Sequence, residues 1–364
     1  MEGKISVLIS VYKDKEEYFR EAIKSIQNQT YKNWEMIIVN DGDIENDSCY
    51  RKCIAELADK RIIYISNEKN QGISVCLNQA LQIATGEFIA KMDSDDISLP
   101  TRFEKQVKFF ETHPESNVLG TSAVVFGDIN DYYIDYNNYS QKMRSILLLF
   151  RNSGLIHPSA MIRRVFLDKN KISYDEKFRK ALDYRLWVEC TKYGKIECLN
   201  EILFCYRRHS SQISTAGKTG QDEYRDQIRI MQLHNIVETI TESEKELHLR
   251  LCNRKNTLKD VQLLYTWSNR LIKANKEKGL YHCFLFKGFL YAESITVIFK
   301  LRNELGIGNF FKYMCKFISV ESVSVLVFNQ YVNVYNRVKK KMFPKYKKRE
   351  IQYINKYMQQ ISKR

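Results

Sequence analysis

Three aspartates within four residues give this sequence its clearest chemical potential. Asp93, Asp95 and Asp96 follow a short apolar run and precede Pro100. Carboxylates this close repel one another unless they share a positive charge, and hard oxygen ligands suit Mg²⁺ or Mn²⁺. The cluster therefore indicates a divalent-metal site. The alternative is a helix cap, in which Asp95, Asp96 or Ser98 supports the first turn of a helix that Pro100 opens.

The segments that lead to the cluster alternate between strand and helix patterns. Residues 5–11 form a near-continuous apolar run, which is typical of a strand covered on both faces. The third helix of the series, from Ile73, is predicted to end at Gly86, because glycine is common just past helix ends. This alternation predicts an α/β fold with a parallel sheet whose ligand loops share one edge. The predicted strands are 5–11, 36–39, 61–66 and 87–92.

The loops at that edge are rich in polar residues. They are Asp41-Gly42-Asp43, Asn70-Gln71-Gly72 and Asp93-Ser94-Asp95, and the backbone of Ser10 to Tyr12 would form the floor of their crevice. Neither a Gly-x-x-x-x-Gly-Lys loop nor a Gly-x-Gly-x-x-Gly turn follows the first strand, which argues against ordinary NTPase and dinucleotide chemistry. The loops instead favour a nucleotide held by carboxylates and a metal ion.

Further elements are predicted beyond the cluster, although the Tyr- and Asn-rich segment 128–140 carries no prediction. Asp183 falls in the first turn of a helix, and Arg207 and His209 follow a strand. The composition of 216–220 is that of a mobile loop. The predicted strands are 118–126 and 202–206, and a short helix is predicted at 141–151.

The composition describes a globular protein with an anionic partner. The 364 residues are 44% hydrophobic and carry a formal net charge of +15. The nine cysteines favour free thiols in a reducing compartment, and Cys198, Cys205 and His209 lack the paired spacing of a zinc site. The N-terminus runs directly into a strand without the regions of a signal peptide, so a cytoplasmic location is expected.

The last third of the sequence has helical periodicity and none of the nucleotide-site motifs. Charges interrupt the aromatic-rich stretch 281–336, which therefore lacks the ~20 apolar residues needed to cross a bilayer. Eight lysines and arginines between Arg337 and Arg349 favour anionic lipid headgroups, with a solvated tail or a nucleic-acid contact as the alternatives. The predicted regions are a nucleotide-binding domain at 1–219, a helical region at 220–336 and a basic tail at 337–364.

Six short motifs in a fixed order carry a family resemblance that spans about residues 3–215. Each motif alone is weakly specific, whereas the ordered series is strongly so. On these motifs the chain resembles the bacterial family 2 glycosyltransferases of the surface-polysaccharide type. The resemblance implies an inverting enzyme with the GT-A fold, which is a Rossmann-like, mostly parallel sheet flanked by helices. The motifs are Ser10-Val11-Tyr12, Asn28-Gln29-Thr30-Tyr31, Val39-Asn40-Asp41-Gly42, Asn70-Gln71-Gly72, Asp93-Ser94-Asp95-Asp96 and Tyr206-Arg207-Arg208-His209.

The resemblance also implies roles for individual residues. Asp93 would contact the ribose side of a nucleotide sugar, usually a UDP-sugar, and Asp95 would ligate Mn²⁺ or Mg²⁺ at the diphosphate. Asp183 occupies the place of the catalytic base, which takes the proton of the acceptor hydroxyl as that hydroxyl attacks C1 of the sugar. The residues implied on the nucleoside side are Ser10, Val11, Tyr12, Asp41, Asn70 and Gly72.

Two positions depart from the family pattern. The family often has Glu-Asp where this chain has Leu182-Asp183, so the neighbouring carboxylate is missing. An Asp in a first helical turn is also an ordinary cap or dipole partner, which is the alternative for Asp183. The family commonly has Asp-Gly-Ser where this chain has Asp41-Gly42-Asp43, so Asp43 adds an acid near an anionic ligand.

Arg207 and His209 each have two interpretations. They would reach the diphosphate or the metal as a charge clamp when the loop 215–221 closes, with His209 as a metal ligand. Alternatively they are a structural arginine and histidine at a strand end.

The sequence thus predicts an inverting, metal-dependent hexosyl- or N-acetylhexosaminyltransferase. Its expected partners are a UDP-sugar donor, a glycan or lipid-linked saccharide acceptor and the anionic inner face of the cell membrane; nucleic acid is not expected. One alternative is a sugar nucleotidyltransferase, which the missing Gly-rich basic loop disfavours. The other is a non-catalytic membrane or nucleic-acid adaptor with a nucleotide-binding fold.

Overall fold

The computed structural model describes residues 3–128, 133–135, 139–152, 154–209, 218–327 and 348–363. The chain divides into two compact units. Unit 1 contains Met1–Asn138, Gly154–Gln221 and Lys340–Arg364, and unit 2 contains Tyr139–Ser153 and Asp222–Lys339. The domain boundaries predicted from the sequence stay a prediction.

Unit 1 begins with the strand and helix alternation that the apolar pattern predicts. Helix α1 buries Phe19, Ala22, Ile23 and Ile26, whose spacing places them on one face. Strand β1 is buried along almost its whole length, as its continuous apolar run requires. The elements are β1 (Ile5–Val11), α1 (Glu16–Gln27), β2 (Trp34–Asn40), α2 (Ile44–Leu57), β3 (Ile62–Ser66), α3 (Ile73–Ile83) and β4 (Phe88–Lys91).

The remaining elements complete both units. Residues 320–327 are also helical, and His157–Ser159 form a short 3₁₀ turn. The remaining strands and helices of unit 1 are β5 (Ile97–Ser98), α4 (Arg102–Thr112), β6 (Ser116–Gly127), β7 (Tyr133–Asp135), β8 (Met161–Arg163), α6 (Arg164–Asn170), α7 (Leu182–Tyr193), β9 (Lys195–Arg208) and α13 (Lys348–Lys363). The helices α5 (Gln141–Phe150), α8 (Lys218–Ile236), α9 (Glu242–Asn253), α10 (Leu258–Lys278), α11 (Cys283–Lys300) and α12 (Arg302–Phe317) lie wholly or mostly in unit 2.

The strands of the described residues form one mixed sheet in the order β3-β2-β1-β4-β8-β6-β9-β5, with β7 paired to β6. Strands β3, β2, β1 and β4 are parallel, as are β6 and β9. Strands β8 and β5 run antiparallel to their neighbours. The α/β prediction is confirmed. Because β1 lies between β2 and β4, the polar loops that follow these strands meet at one edge of the sheet.

The predicted end of α3 at Gly86 is wrong. The helix ends at Ile83, and Ala84 has extended backbone. Gly86 instead lies against β1, where its N–H donates to the hydroxyl of Ser6 at 2.8 Å. A Cβ at this position would meet the backbone nitrogen of Ser6 at 2.6 Å. The glycine therefore permits a close approach of two backbone segments.

Glu35 ties the starts of the central strands together. Its carboxylate accepts hydrogen bonds from the Ser6 hydroxyl at 2.5 Å, the Thr85 backbone N–H at 2.7 Å and the Lys4 ammonium at 2.6 Å. Burial alone would raise the pKa of Glu35, but these donors outweigh it and lower the pKa to about 2. The charged carboxylate therefore stabilises the base of the sheet.

Unit 2 is helical, which confirms the predicted helical C-terminal region. Its core contains large apolar side chains from several helices, including Phe150, Trp267 and Phe289. Arg151 and Glu293 form an ion pair within the unit at 2.5 Å. Among the residues that the structure describes, no helix has the length and apolar character needed to cross a membrane.

The C-terminal helix α13 belongs to unit 1. Its residues Ile354, Tyr357 and Ile361 are buried in a small apolar cluster with side chains from β5, β6 and β9 and the residue after β5. The membrane prediction rests on the basic run between Arg337 and Arg349, of which residues 337–347 lie outside the described residues and Lys348 and Arg349 begin α13. The cluster also contains Ile97, Leu99, Val124, Phe126, Ile202 and Cys205.

Candidate active site

The acid cluster lies directly after β4, at the edge of the sheet that the sequence predicts. Asp93, Asp95 and Asp96 each offer a carboxylate oxygen, and these oxygens lie within 4.8 Å of one another. The buried ammonium of Lys91 lies 2.6 Å from Oδ1 of Asp93. Burial by itself would raise the pKa of Asp93, but the charge and hydrogen bond of Lys91, together with the charges of His157 and Arg102, outweigh it and hold the pKa below its usual range. Asp93 is therefore charged at neutral pH.

Strand β9 brings the side chains at and just after its end, Arg207 and His209, beside the acid cluster. Strands β5 and β9 pair with Ile97 opposite Cys205, which brings the end of β9 beside the acids. The imidazole Nε2 of His209 lies 2.8 Å from Oδ2 of Asp95. The Nε of Arg207 donates to the backbone carbonyl of Asp95 at 2.6 Å. Both residues named from the end of this strand thus contact Asp95.

Asp96 is fully buried and only partly satisfied. Its Oδ1 accepts the backbone N–H of Arg207 at 2.7 Å, whereas its Oδ2 has no hydrogen-bond partner among the described residues. Burial raises the pKa of Asp96 well above its usual range, and the charges of Asp95 and Asp93 raise it further. A buried oxygen without a donor, beside two other carboxylates, favours a bound cation.

The helix-cap alternative for the cluster is wrong. Helix α4 begins at Arg102, and its N-cap is Thr101, whose side chain makes no capping bond. Ser98 lies in β5, and its hydroxyl accepts a hydrogen bond from the Gln29 amide at 3.1 Å. Asp96 accepts from β9 rather than from the first turn of α4. The acids are therefore available for another purpose.

The donor set fits a divalent ion. Three carboxylates and one imidazole within a small, partly buried space match the oxygen and nitrogen ligands that Mn²⁺ accepts, and the carboxylates alone suit Mg²⁺. The buried Oδ2 of Asp96 supports the same assignment. The metal roles of Asp95 and His209 stay predictions.

Asp41 organises the loop after β3. Its carboxylate accepts the backbone N–H of Gln71 at 2.7 Å and that of Gly72 at 3.0 Å, and the Asn70 amide donates to it at 3.1 Å. The backbone N–H of Asp41 donates to the carbonyl of Val11 at 3.0 Å. The structure therefore brings together the three segments that the sequence assigns to the nucleoside.

Gly42 allows the close approach of these loops. Its φ of 75° lies in the left-handed region, and a Cβ there would come within 2.1 Å of the Lys69 carbonyl carbon. Gly72 also has a positive φ, at 99°, and precedes the first turn of α3. Both glycines are therefore required by backbone geometry.

Asp43, the acid that this chain adds to the family pattern, accepts hydrogen bonds from neighbouring residues. Its carboxylate accepts the backbone N–H of Lys13 at 2.8 Å and the hydroxyl of Tyr50 at 3.0 Å. Burial alone would raise its pKa, but these donors and Asn46 lower it. Asp43 therefore holds the turn after β1, in which Lys13 has a φ of 55°.

Asp14 is the residue of this site that the sequence reasoning missed. The Ser94 hydroxyl donates to its carboxylate and also contacts the carbonyl of Ser10 at 3.1 Å. Burial raises the pKa of Asp14 to about 7, and the charge of Asp95 contributes to the rise. Its position in the loop after β1, on the ligand edge of the sheet, was the sequence signal that could have identified it.

The three residues predicted to form the floor of the crevice lie at the end of β1. Ser10 and Val11 lie beneath the loops, and Tyr12 is exposed at the edge.

Asp183 lies in the first turn of α7, directly after Ala181 and Leu182, and is half-buried. The half-buried imidazole of His157 lies within range of the charges of both Asp183 and Asp93, each of which acts to raise its pKa. Nε2 of His157 lies 3.0 Å from the hydroxyl of Tyr174. Burial and, to a smaller extent, the charge of the nearby Lys91 lower the pKa of His157 to about 4. His157 is therefore neutral at physiological pH.

A polar cavity of about 770 Å³ lies beside α7. Its lining contains Tyr174 but none of the residues that the sequence nominated for the donor, the metal or the base. Tyr174 thus contacts both this cavity and His157. The lining also includes Asn78, Lys171, Asp175, Arg185, Glu189 and Tyr193.

Comparison with known proteins finds glycosyltransferases, in agreement with the family resemblance of the ordered motifs. The model of the family described as Glycosyl transferase family 2 matches residues 6–170. The chain is 38% identical over 208 residues to an uncharacterized glycosyltransferase of Methanocaldococcus jannaschii, covering 56% of this chain and 70% of that protein. It is 28% identical over 219 residues to the UDP-Glc:alpha-D-GlcNAc-diphosphoundecaprenol beta-1,3-glucosyltransferase WfgD of Escherichia coli, covering 58% and 79% respectively.

The fold is similar to that of a solved structure of S. aureus TarS 1-349 in complex with UDP-GlcNAc. The TM-score is 0.53, with 81% of this chain and 89% of that chain covered. At 17% sequence identity, this similarity concerns the fold alone. It agrees with the GT-A architecture that the ordered motifs imply.

Proposed function

Since this chain belongs to glycosyl transferase family 2 and is a glycosyltransferase of the surface-polysaccharide type, we propose that it is an inverting, metal-dependent enzyme. It transfers a sugar from a UDP-sugar to a lipid-linked saccharide. The observation that carries the proposal is the convergence of Asp93, Asp95 and Asp96 within 4.8 Å at the sheet edge. A negatively charged diphosphate binds among these acids only if a cation neutralises them.

The donor binds between the loops that follow β1, β2 and β3. Asp41 holds the backbone of residues 70–72 in position and presents its remaining acceptor capacity to the base, while Ser10, Val11 and Tyr12 form the floor. Asp93, kept charged by Lys91, accepts hydrogen bonds from the ribose hydroxyls. Two similar proteins support a UDP-sugar, since the E. coli relative is named for UDP-Glc and the TarS structure contains UDP-GlcNAc.

Asp95 and His209 would hold Mn²⁺ or Mg²⁺, with Asp96 as a further, buried acid. When bound, the ion would neutralise the charge that builds on the diphosphate as its bond to C1 of the sugar breaks. Asp96 and Arg207 fix the backbone of this segment through the bonds to β9. The contact of Arg207 with the diphosphate stays a prediction, and in this structure its guanidinium pairs with Glu21.

Asp183 acts as the general base. Its carboxylate takes the proton of the acceptor hydroxyl while the hydroxyl oxygen bonds to C1 of the sugar. The bond between C1 and the diphosphate oxygen breaks at the same time, and its electron pair leaves with UDP. Attack from the face opposite the leaving group inverts the anomeric configuration. General-base assistance of this kind contributes typically ~10²- to 10⁴-fold.

The acceptor is proposed to be a saccharide on a lipid diphosphate. The full name of WfgD describes such an acceptor for that enzyme, alpha-D-GlcNAc-diphosphoundecaprenol. The net charge of +15 and the basic run between Arg337 and Arg349 suit an anionic membrane surface, where such an acceptor is found.

A donor-hydrolysis experiment tests this function. UDP-glucose, UDP-N-acetylglucosamine and GDP-mannose are each incubated with the protein, and nucleoside diphosphate release is measured with Mn²⁺, with chelator and after Mn²⁺ is restored. Release from a UDP-sugar that the chelator abolishes and Mn²⁺ restores supports the proposal. Equal release with and without chelator overturns metal dependence. Pyrophosphate formation from UTP and a sugar 1-phosphate would instead identify a nucleotidyltransferase.

A further inference from the structure

The C-terminal helix reaches the acid cluster through a short series of polar contacts. The hydroxyl of Ser362, near the end of α13, donates to the carboxylate of Glu21 on α1. The same carboxylate pairs with the guanidinium of Arg207 at 2.5 Å, and both of these side chains are largely buried. Ser362 of α13 and Arg207 of β9 therefore share the carboxylate of Glu21 on α1.

Arg207 connects this pair to the acids. Its backbone N–H donates to Oδ1 of Asp96 at 2.7 Å, and its Nε donates to the carbonyl of Asp95 at 2.6 Å. Its guanidinium lies 4.1 Å from the ring of Tyr18 and 4.6 Å from that of Phe126. A guanidinium that lies against two aromatic rings and pairs its charge with a carboxylate is restrained in its orientation.

The histidine beside this arginine is held by the same helix. The ring of Tyr18 contacts that of His209, with their centroids 5.4 Å apart. Tyr18 and Glu21 lie three residues apart on α1 and therefore share a face. This face of α1 thus fixes both Arg207 and His209.

Helix α13 is seated firmly enough to act on Glu21. Its apolar face is buried through Ile354, Tyr357 and Ile361. The buried ammonium of Lys24, also on α1, donates to the carbonyl of Ile361 at 3.2 Å, which satisfies an acceptor at the end of α13. The polar contact at Ser362 therefore adjoins an anchored end of the helix.

From these contacts we propose that α13 is a working part of the donor site and that Glu21 is its positioning residue. Glu21 holds Arg207, and Arg207 holds the backbone of Asp95 and the side chain of Asp96. Seating of α13 thereby sets the affinity of the acid cluster for its metal. This inference rests on the proposed function only for the identity of the ligand.

The test uses the full chain with matched variants on the two helices. Glu21→Gln removes the charge that pairs with Arg207, and Glu17→Gln removes an exposed acid from the same helix. Ile361→Ala loosens the seat of α13, and Gln359→Ala alters an exposed position of the same helix. Mn²⁺ affinity is measured by electron paramagnetic resonance of the free ion, and folding is checked by circular dichroism.

Glu21→Gln is expected to weaken Mn²⁺ binding by about 10- to 100-fold, the usual effect of removing a partner that orients a metal ligand. Ile361→Ala is expected to weaken it in the same direction, and the two controls are expected to match the wild type. The Mn²⁺ concentration for half-maximal donor hydrolysis rises in Glu21→Gln, while the rate at saturating Mn²⁺ stays near that of the wild type. General structural damage would lower that saturating rate as well.

Unchanged Mn²⁺ affinity in Glu21→Gln overturns the inference, whatever happens to Ile361→Ala. If the wild type binds no Mn²⁺ and releases no UDP, the proposed function fails, and the inference is judged by the NMR signals of the His209 imidazole without ligand. A shift of these signals in Glu21→Gln but not in Glu17→Gln supports the positioning role. Identical spectra overturn it.

Discussion

The imidazole of His209 lies 2.8 Å from the carboxylate of Asp95, although 114 residues separate them in the sequence. The pairing of β5 with β9 produces this contact, because it places the end of β9 alongside the segment after the acids. A histidine and a carboxylate at this distance can share one cation or hold each other in place. Substitutions at the two positions distinguish these roles.

Asp95→Ala is expected to abolish measurable Mn²⁺ binding. Loss of a partner outside the ligand set costs about 10- to 100-fold in affinity, and loss of a ligand itself costs more. Mn²⁺ titration followed by electron paramagnetic resonance measures the effect, and His209→Ala is titrated in parallel. Asp168→Asn is the control, since this exposed acid pairs only loosely with Arg164 at 3.4 Å. Wild-type affinity in Asp95→Ala would rule out Asp95 as a ligand.

Asp183→Asn separates donor binding from transfer. The carboxylate is half-buried and is not one of the three clustered acids Asp93, Asp95 and Asp96, so UDP binding is expected to persist. Transfer to a saccharide acceptor is expected to fall by about 10²- to 10⁴-fold, because an amide cannot accept the proton. Calorimetry with UDP and a radiolabelled transfer assay measure the two properties. Normal transfer would show that another group is the base.

The carboxylate of Glu35 makes the fold sensitive to acid. Its pKa is about 2 in the folded protein and about 4.3 in an unfolded chain, so it contributes stability above about pH 5 that is lost as pH falls towards 2. Glu35→Gln is expected to lower the free energy of unfolding at pH 7 by up to about 3 kcal/mol, with a smaller difference at pH 3.

Urea unfolding of Glu35→Gln at several pH values checks this dependence, with the exposed Glu17→Gln as its control. A stability difference that does not shrink below pH 4 would mean that packing, and not charge, accounts for the loss.

Gly42→Ala tests whether close backbone approach is essential at the donor loop. The new Cβ would lie 2.1 Å from the Lys69 carbonyl carbon, in addition to the strain of a φ of 75°. Gly279→Ala is the matched control, because its φ is 67° but no atom lies within 4 Å of the new Cβ. The control is expected to cost about 1 kcal/mol in stability. Gly42→Ala is expected to cost more and to weaken UDP binding, and equal effects would contradict this account.

Much of the donor side of the site could be predicted from the sequence. Apolar runs and their spacing define β1 and α1, and parallel strands necessarily carry their following loops to one edge. Asp41 and Asp93 come directly after strands, so their positions follow from those elements. Glycosyltransferase identity could be predicted because the motifs occur in a fixed order.

Other features depend on long-range packing that leaves little local signal. Strand β5 has only the residues Ile97–Ser98, too few for a periodic pattern, yet it decides where His209 lies. Glu21 looks like an ordinary surface acid of an amphipathic helix. Its pairing with Arg207 depends on where β9 ends in space. Helix α13 was not predicted, because the many basic residues of its segment led to the prediction of a basic tail.

The basic run near the C-terminus is best tested by substitution, because deleting residues 337–364 would also remove α13 and its contacts with unit 1. Replacing Lys339, Lys340 and Lys341 by glutamine is expected to weaken binding to anionic vesicles by about 100-fold, at about 1 kcal/mol per charge. Vesicle sedimentation with anionic and neutral lipids measures this binding, and donor hydrolysis in solution should be unchanged.

The control for the basic run replaces three exposed lysines of unit 1, at positions 52, 60 and 108, and keeps the same net charge as the test variant. If membrane attraction depends on local charge density, only the test variant dissociates from anionic vesicles, because headgroup attraction falls off within about 10 Å of the surface. Equal weakening in both variants would show that overall charge, and not the C-terminal run, attracts the protein to the membrane.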